Sequence, residues 1–353
     1  MIAPVISCIG IVSALLASSA HTHPHPLKTP AVSRVKKISP VKISGKKTVK
    51  PQKAAIASKK KTLPEPANNN IPENTPAAAT SSMVVDAHPA LWMIHKNNTT
   101  IYLFGTIHML DPRYSWFKNH VRDAFEQSSE LVIETKAPPA DQVQAIVSEL
   151  ATDKSGLPLE KRLPPALNRR VQAELAHFHI AKNSMDRFSP WFVAVTLTLL
   201  HYQKSGIKTM AGVEPVLIAQ AQSEAKNIGE LEDFKQQLSF LSNLSSADQI
   251  SFLQSSLEED EQSSFIIRLL IKAWAGGDED RLANIVNQNL SQIPHLQTIL
   301  LENRNRRWAD WIENRLKTPG TVFMAVGAGH LGGAHSLRKI LAERQIYAVR
   351  IAN

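Results

Sequence analysis

Two copies of one short pattern lie near opposite ends of the chain, each an apolar run that leads into Gly-x-x-His. The first copy consists of residues 101–104, Gly105 and His108, and the second of residues 322–326, Gly327 and His330. Short runs rich in β-branched and aromatic residues predict strands. Because ligands of open α/β sheets bind outside the carboxyl ends of the strands, the pattern predicts that both histidines face one crevice.

The two glycines of this pattern predict a close approach between the backbone and a ligand. Glycine has no Cβ, so the chain can turn sharply there or lie directly against a bound molecule. We therefore assign Gly105 and Gly327 to substrate binding.

A carboxylate follows a third strand-like run. Residues 131–133 are continuously apolar, as in a strand buried on both faces, and Glu134 comes next. Two neutral imidazoles and a carboxylate can hold a metal with open positions for water, and glutamate also serves as a general base. His108, His330 and Glu134 are thus candidate metal ligands and catalytic residues. The alternative is structural, because a histidine after a strand is often only a hydrogen-bonded loop residue, and Glu134 can pair with Lys136.

The long middle of the chain has a helical pattern. From about residue 140 to residue 316, apolar residues recur at helical spacing, interrupted by two short extended pieces at Met210–Glu214 and Asn227–Glu232. The order strand, helix, strand over residues 101–134 predicts a βαβ unit. The predicted fold class is α/β, with the N- and C-terminal strand-Gly-x-x-His units forming one mixed sheet and a large helical insertion between them.

The N-terminal part of the chain differs in composition from the rest. Residues 1–20 combine an apolar segment with small residues at 18–20, as in a secretory signal peptide. Residues 21–85 are rich in Pro, Lys, Ala and Asn, which predicts a disordered linker. The folded domain is predicted over 86–353, and the protein is predicted to be exported to the periplasm or the cell envelope.

The net charge of +9 comes from one segment. Lys28–Lys61 contains eleven lysines and Arg34, and without these twelve residues 28 basic residues face 31 acidic ones. No basic groove with interleaved aromatic residues is visible in the remainder, so nucleic-acid binding is rejected as the main role. The lysine-rich segment either lies on an anionic surface of the cell envelope or is a solvated spacer.

The second copy of the pattern also matches a dinucleotide-binding motif. Residues 327–332 read G-A-G-H-L-G, which fits G-x-G-x-x-G between a strand and a helix. The residues about 20 positions later, Arg350 to Asn353, include no acidic side chain to bind a ribose, which argues against a nucleotide site.

Several motifs together resemble the TraB/GumN family, which is related to the Tiki metalloproteases. In chain order they are Ala90-Leu91-Trp92, YLFGTIHMLDP at 102–112, LVIET at 131–135, GVEP at 212–215, ENRNRRWADWI at 302–312 and TVFMAVGAGHLGG at 321–333. The similarity spans residues 88–353. It implies two α/β halves around a helical insert, and a site assembled from both Gly-x-x-His motifs and a glutamate. By position, His108, His330 and Glu134 take the metal-linked or catalytic roles.

Three further residues are candidates for substrate binding. The family carries a glycine-leucine-glutamate near the middle, and its glutamate position falls on Glu232, although the glycine is displaced here. Glu214 either faces the site or caps the next helix. Arg304 either positions a substrate carboxylate or phosphate through its planar guanidinium, or is an exposed residue on an Arg-rich helix.

The predicted function is that of an exported, metal-dependent hydrolase. A divalent cation (Mn, Co or Zn) would polarise a scissile carbonyl and activate water, with Glu134 as base or ligand. The resemblance implies an amide bond in a peptide or small protein as the substrate. Two alternatives stay open: a non-catalytic protein that binds or sequesters a peptide pheromone, and an accessory factor in surface polysaccharide production.

Overall fold

The computed structural model describes residues 84–204, 212–258, 263–288 and 293–352. The predicted signal peptide and nearly all of the predicted linker lie outside these residues. Val85, the last residue of the predicted linker, already belongs to a short strand. Within the described ranges, no helix combines the length and the apolar character needed to span a bilayer.

Within the described ranges, eight strands form one six-stranded sheet and one separate pair. They are β1 (Val85–Asp86), β2 (Leu91–Lys96), β3 (Thr99–Thr106), β4 (Tyr114–Ser115), β5 (Glu130–Ile133), β6 (Asn227–Glu230), β7 (Gly320–Gly327) and β8 (Val349–Arg350). The order in the large sheet is β6-β5-β7-β3-β2-β8, and β1 pairs with β4. The four strands from β6 to β3 run parallel, whereas β2 is antiparallel to both β3 and β8. This mixed sheet and the helices around it confirm the predicted α/β class.

All but the first and the last of the described helices lie between β5 and β7 in the chain. They are α1 (Asn119–Gln127), α2 (Ala140–Ala151), α3 (Leu159–Arg162), α4 (Pro165–His177), α5 (Pro190–Lys204), α6 (Val213–Ser223), α7 (Phe234–Ser242), α8 (Ser246–Glu258), α9 (Ser263–Ala275), α10 (Glu279–Gln288), α11 (Pro294–Gln297), α12 (Asn303–Arg315) and α13 (Leu337–Glu343). A π-helical turn at Thr298–Glu302 joins α11 to α12, and a 3₁₀ turn at Ala328–His330 follows β7. The predicted helical insertion is thus present, and β6 interrupts it at the predicted position.

The central strands are buried on both faces. Side chains alternate along a strand, so Phe104 and Phe323 pack into the core of the helical insertion. Their strand neighbours Leu103 and Met324 pack on the opposite face, with Trp308 of α12. This burial on both faces explains why β3, β5 and β7 are continuous apolar runs, the pattern that predicted them.

The β2–β3 hairpin follows from two asparagines. Asn97 and Asn98 both have positive φ, 51° and 61°, and they connect Lys96 directly to its partner Thr99. A two-residue hairpin turn requires positive φ at both positions, which asparagine tolerates better than most residues.

The prediction of an extended piece at Met210–Glu214 is wrong where it can be checked. Met210 and Ala211 lie outside the described residues, whereas Val213 and Glu214 form the first turn of α6. Pro215 fits this turn because the first backbone N–H groups of a helix have no intrahelical partner. An apolar piece this short does not distinguish a strand from a helix start.

Candidate active site

The three predicted catalytic residues follow the ends of three neighbouring parallel strands. Within the sheet, β7 lies between β5 and β3, and Thr106 at the end of β3 pairs with Gly327 at the end of β7. His108 follows β3, His330 follows β7, and Glu134 directly follows β5. All three therefore lie at the same end of the sheet, where its parallel strands have their carboxyl ends.

His108 forms an ion pair with Glu214. Nδ1 of His108 lies 2.9 Å from Oε1 of Glu214, and the two side chains are 17% and 16% exposed. Burial disfavours the charged ring, but the adjacent carboxylate outweighs burial and raises the pKa of His108. Burial likewise opposes ionisation of Glu214, whose pKa is nevertheless lowered by His108 and by the Thr106 hydroxyl. Glu214 therefore lies at the site, beside the histidine, and orients its ring.

A glycine places Glu214 beside the histidine. A Cβ at Gly212 would lie 2.5 Å from the carbonyl oxygen of His108, so only glycine allows this approach. The next residue, Val213, donates its N–H to the carbonyl of Ile107 at 3.0 Å. The N-terminus of α6 is thus attached to the backbone around the first histidine, one residue before the carboxylate that pairs with it.

Glu134 is buried and receives several donors. Its Oε2 accepts from Arg304 Nη2 at 2.6 Å and from Gln237 Nε2 at 3.1 Å, and its Oε1 accepts from the N–H of Gly327 at 2.6 Å. Burial raises the pKa of Glu134, but the charge of Arg304 and the hydrogen bond from Gly327 outweigh it and hold the pKa far below its usual range. Glu134 is therefore ionised, and so low a pKa makes it a weak proton acceptor in this arrangement.

Arg304 lies at the centre of the buried network. It is 2% exposed, and besides Glu134 its Nε donates to Oε2 of Glu232 at 2.8 Å. Arg307, one helical turn further along α12, donates to the other oxygen of Glu232 at 3.0 Å. The Trp308 ring packs under the guanidinium, with 4.7 Å between the guanidinium carbon and the ring centroid. Arg304 and Glu232 are thus both part of the site, where they bind each other.

His330 is buried and electrically neutral. Its Nδ1 lies 2.7 Å from Oδ1 of Asn305, and its Nε2 lies 3.1 Å from Nη1 of Arg304. Burial and the neighbouring positive charge of Arg304 lower the pKa of His330 to about 3. The Trp308 ring lies against the imidazole, with 4.4 Å between ring centroids. The two histidines of the repeated pattern therefore have opposite electrostatic environments.

The two pattern glycines serve packing in this structure. A Cβ at Gly327 would lie 3.0 Å from Oε1 of Glu134, so glycine allows its N–H to bind that carboxylate closely. A Cβ at Gly105 would lie 3.0 Å from the Cβ of Ala328, in the turn that carries the second histidine. Their predicted contact with substrate stays a prediction.

The side chains as placed do not fit a divalent metal ion. Glu134 and His330 direct Oε2 and Nε2 at the guanidinium of Arg304, a cation that donates hydrogen bonds and cannot itself ligate a metal. Nδ1 of His108 is paired with Glu214. Across the described ranges, no group of three or more His, Cys, Asp and Glu side chains is arranged to hold a metal ion.

Several residues of the site were not identified from the sequence. Gly212, Asn305 and Trp308 lie inside motifs that carry the family resemblance, GVEP and ENRNRRWADWI, which is the signal that could have identified them. Gln237, on α7, lies in no such motif, and its hydrogen bond to Glu134 joins residues 103 positions apart.

Comparisons with known proteins find similar chains of uncharacterized function. The chain is 25% identical to the uncharacterized protein YbaP of Escherichia coli K12 over 257 residues, which covers 72% of this chain and 92% of YbaP. It is 20% identical to an uncharacterized protein of Treponema pallidum over 284 residues, 76% of this chain and 84% of that protein. No solved structure matches significantly. The relation to Tiki metalloproteases is not shown by these matches and stays a prediction.

A family model covers nearly all of the described structure. The model for the TraB/PrgY/gumN family matches residues 90–350. That range contains both Gly-x-x-His motifs and every residue of the network around Glu134. With this match over most of its length, the chain belongs to the TraB/PrgY/gumN family.

Proposed function

We propose that this protein is an exported hydrolase that cleaves an amide bond in a peptide or small protein, with His108 as the general base. The observation that carries the proposal is the His108–Glu214 pair, in which a partly exposed imidazole is oriented by an equally exposed carboxylate at the carboxyl ends of the parallel strands. A histidine oriented in this way is a common general base. Export is supported by the signal-like composition of residues 1–20, and the peptide substrate by the family resemblance.

The chemistry follows from the pairing of Nδ1. Because Nδ1–H donates to Glu214, Nε2 is the ring atom that can take a proton. His108 Nε2 accepts a proton from water as the water oxygen attacks the carbonyl carbon of the substrate. Glu214 stabilises the imidazolium that results. The same proton then passes to the departing amine as the C–N bond breaks, which returns His108 to its neutral form.

Peptide-library turnover by the full-length protein tests this proposal. We expect His108→Asn and Glu214→Gln to lower the rate, the first by about 100-fold or more because general-base catalysis contributes 10²–10⁴. His295→Asn is the matched control, since His295 also lies beside a carboxylate, Asp248, but is 79% exposed. Full activity of His108→Asn would refute the assignment of the base.

The same experiment separates the alternatives. Binding of a peptide without cleavage by the wild-type protein would favour a sequestering protein over a hydrolase. Repeating the assay with a chelator, and then with added Mn²⁺, Co²⁺ or Zn²⁺, tests the predicted dependence on a divalent cation. Loss of activity in chelator that one of these ions restores would support that dependence.

A further inference from the structure

The guanidinium of Arg304 makes directional contacts with three other side chains of the site. Nη2 binds Glu134 at 2.6 Å, Nε binds Glu232 at 2.8 Å, and Nη1 lies 3.1 Å from Nε2 of His330. Arg304, Glu232 and His330 are all less than 9% exposed, as is Glu134. One cation is thus enclosed by two carboxylates and one imidazole, groups that also serve as ligands of divalent metals in proteins.

The contact with Arg304 determines which nitrogen of His330 carries the proton. A guanidinium has five donors and no acceptor, so Nε2 must accept the hydrogen bond from Nη1. Because Nε2 is an acceptor, Nδ1 is the ring atom that carries the proton, and it donates a hydrogen bond to Oδ1 of Asn305. The Asn305 amide is oriented by its own Nδ2, which donates to the carbonyl of His335 at 2.8 Å. His330 is therefore held as the Nδ1–H tautomer from both sides.

The lone pair that binds Arg304 is the one a metal would need. With Nδ1 protonated, Nε2 is the only ring atom of His330 able to ligate an ion, and it is already an acceptor for Arg304. Oε2 of Glu134 is engaged by the same guanidinium. Trp308 packs against both the guanidinium and the imidazole and limits the movement of both groups.

We infer that Arg304 is the built-in cation of this site, occupying the place between Glu134, Glu232 and His330 that a divalent ion would otherwise take. The inference does not depend on the proposed hydrolase activity, because it concerns only which cation these side chains bind. It changes the expected dependence on metals: the wild-type chain holds its own positive charge, and a divalent ion enters only when the arginine is removed.

Metal content of the full-length, tag-free protein tests the inference. We compare wild type, Arg304→Met and Arg307→Met after equilibration with Mn²⁺, Co²⁺ or Zn²⁺ and dialysis. Arg307→Met is the matched control, since Arg307 binds the same Glu232 but contacts neither of the other two ligands. Metal bound elsewhere on the chain is the same in all three proteins and cancels in the comparison. We expect Arg304→Met to hold about one more equivalent than the other two, and Glu134→Gln in that background to abolish it.

A second measurement needs no variant of Arg304, whose removal leaves two buried carboxylates and can prevent folding. The ¹⁵N chemical shifts of His330 in the wild-type protein report its tautomer and any bound ion, and His330→Asn assigns the signals. We expect an Nδ1–H ring whose shifts do not change when Zn²⁺ or Mn²⁺ is added. An Nε2 signal that moves with added metal would overturn the inference, as would a folded Arg304→Met protein with no more metal than the control.

Discussion

Gly212→Ala is the substitution whose effect can be worked out most fully from the structure. An alanine Cβ there would lie 2.5, 2.8 and 2.9 Å from the carbonyl oxygen, carbonyl carbon and Cα of His108, all backbone atoms that cannot rotate away. Restoring an ordinary contact of 3.4 Å requires a relative movement of about 0.9 Å between the start of α6 and the segment after β3.

That movement acts directly on the His108–Glu214 pair. The pair is 2.9 Å long, so a displacement of this size along its axis extends it beyond hydrogen-bond distance. We expect the pKa of His108 to fall, because the carboxylate that raises it moves away while burial persists. We also expect the free energy of unfolding to fall by about 1–3 kcal/mol, the usual cost of overpacking.

NMR titration of His108 and urea unfolding of the variant measure both effects without knowledge of the substrate. Gly276→Ala is the control, because a Cβ there has no neighbour closer than 3.3 Å, the carbonyl oxygen of Lys272. An unchanged pKa of His108 together with an unchanged unfolding free energy in Gly212→Ala would refute the argument that this glycine positions the pair.

Three further predictions concern the same site. In the turnover assay, the acidic limb of the pH–rate profile should lie above the ordinary histidine pKa of about 6.5, because Glu214 raises the pKa of His108, and Glu214→Gln should move that limb to lower pH. The folded protein keeps His330 neutral down to about pH 3, whereas the unfolded chain protonates it near pH 6.5. The unfolding free energy should therefore fall as the pH falls between these values, by up to about 1.4 kcal/mol per pH unit from this group, and urea unfolding of His330→Asn at pH 7 and pH 5 should show a weaker dependence. Gly327→Ala should lower the unfolding free energy by about 1–3 kcal/mol in the same assay, because a Cβ 3.0 Å from Oε1 of Glu134 lengthens a hydrogen bond to a charged group.

The fold was largely predictable because its signals are local. The apolar runs of β3, β5 and β7 are visible in the sequence, and the asparagines at 97 and 98 predict the hairpin that joins β2 to β3. The predicted catalytic residues lie at one end of the sheet because each follows the carboxyl end of a parallel strand. The error at Met210–Glu214 arose because an apolar piece this short does not distinguish a strand from a helix start. The need for glycine at 212 has no local signal, since it is set by the backbone of His108, more than 100 positions away.

The partners of the site residues could not be predicted, because they are set by contacts distant in sequence. Arg304 and Glu134 are 170 positions apart, and Arg304 and Glu232 are 72 apart. The sequence placed Arg304 as a substrate ligand or as an exposed arginine, whereas in the structure it is buried among acidic side chains. A π-helical turn at Thr298–Glu302 lies just before Arg304 and shifts the angular position of the side chains that follow it. The spacing of apolar residues in the sequence shows no interruption there.

The two Gly-x-x-His motifs show how far a motif determines chemistry. Both place a histidine at the carboxyl ends of adjacent parallel strands. A carboxylate, Glu214, lies beside the first ring and raises its pKa, whereas a guanidinium, Arg304, lies beside the second and lowers its pKa. The first imidazole therefore binds a proton more readily than a free histidine, whereas the second remains a neutral hydrogen-bonding group. Because the motif is the same in both, the difference comes from what surrounds each ring: α6 supplies Glu214 to the first, whereas the second is neutral through burial and Arg304 of α12. Exchanging these functions would require changes in the helices, and changes confined to the motifs would leave the roles of the two histidines as they are.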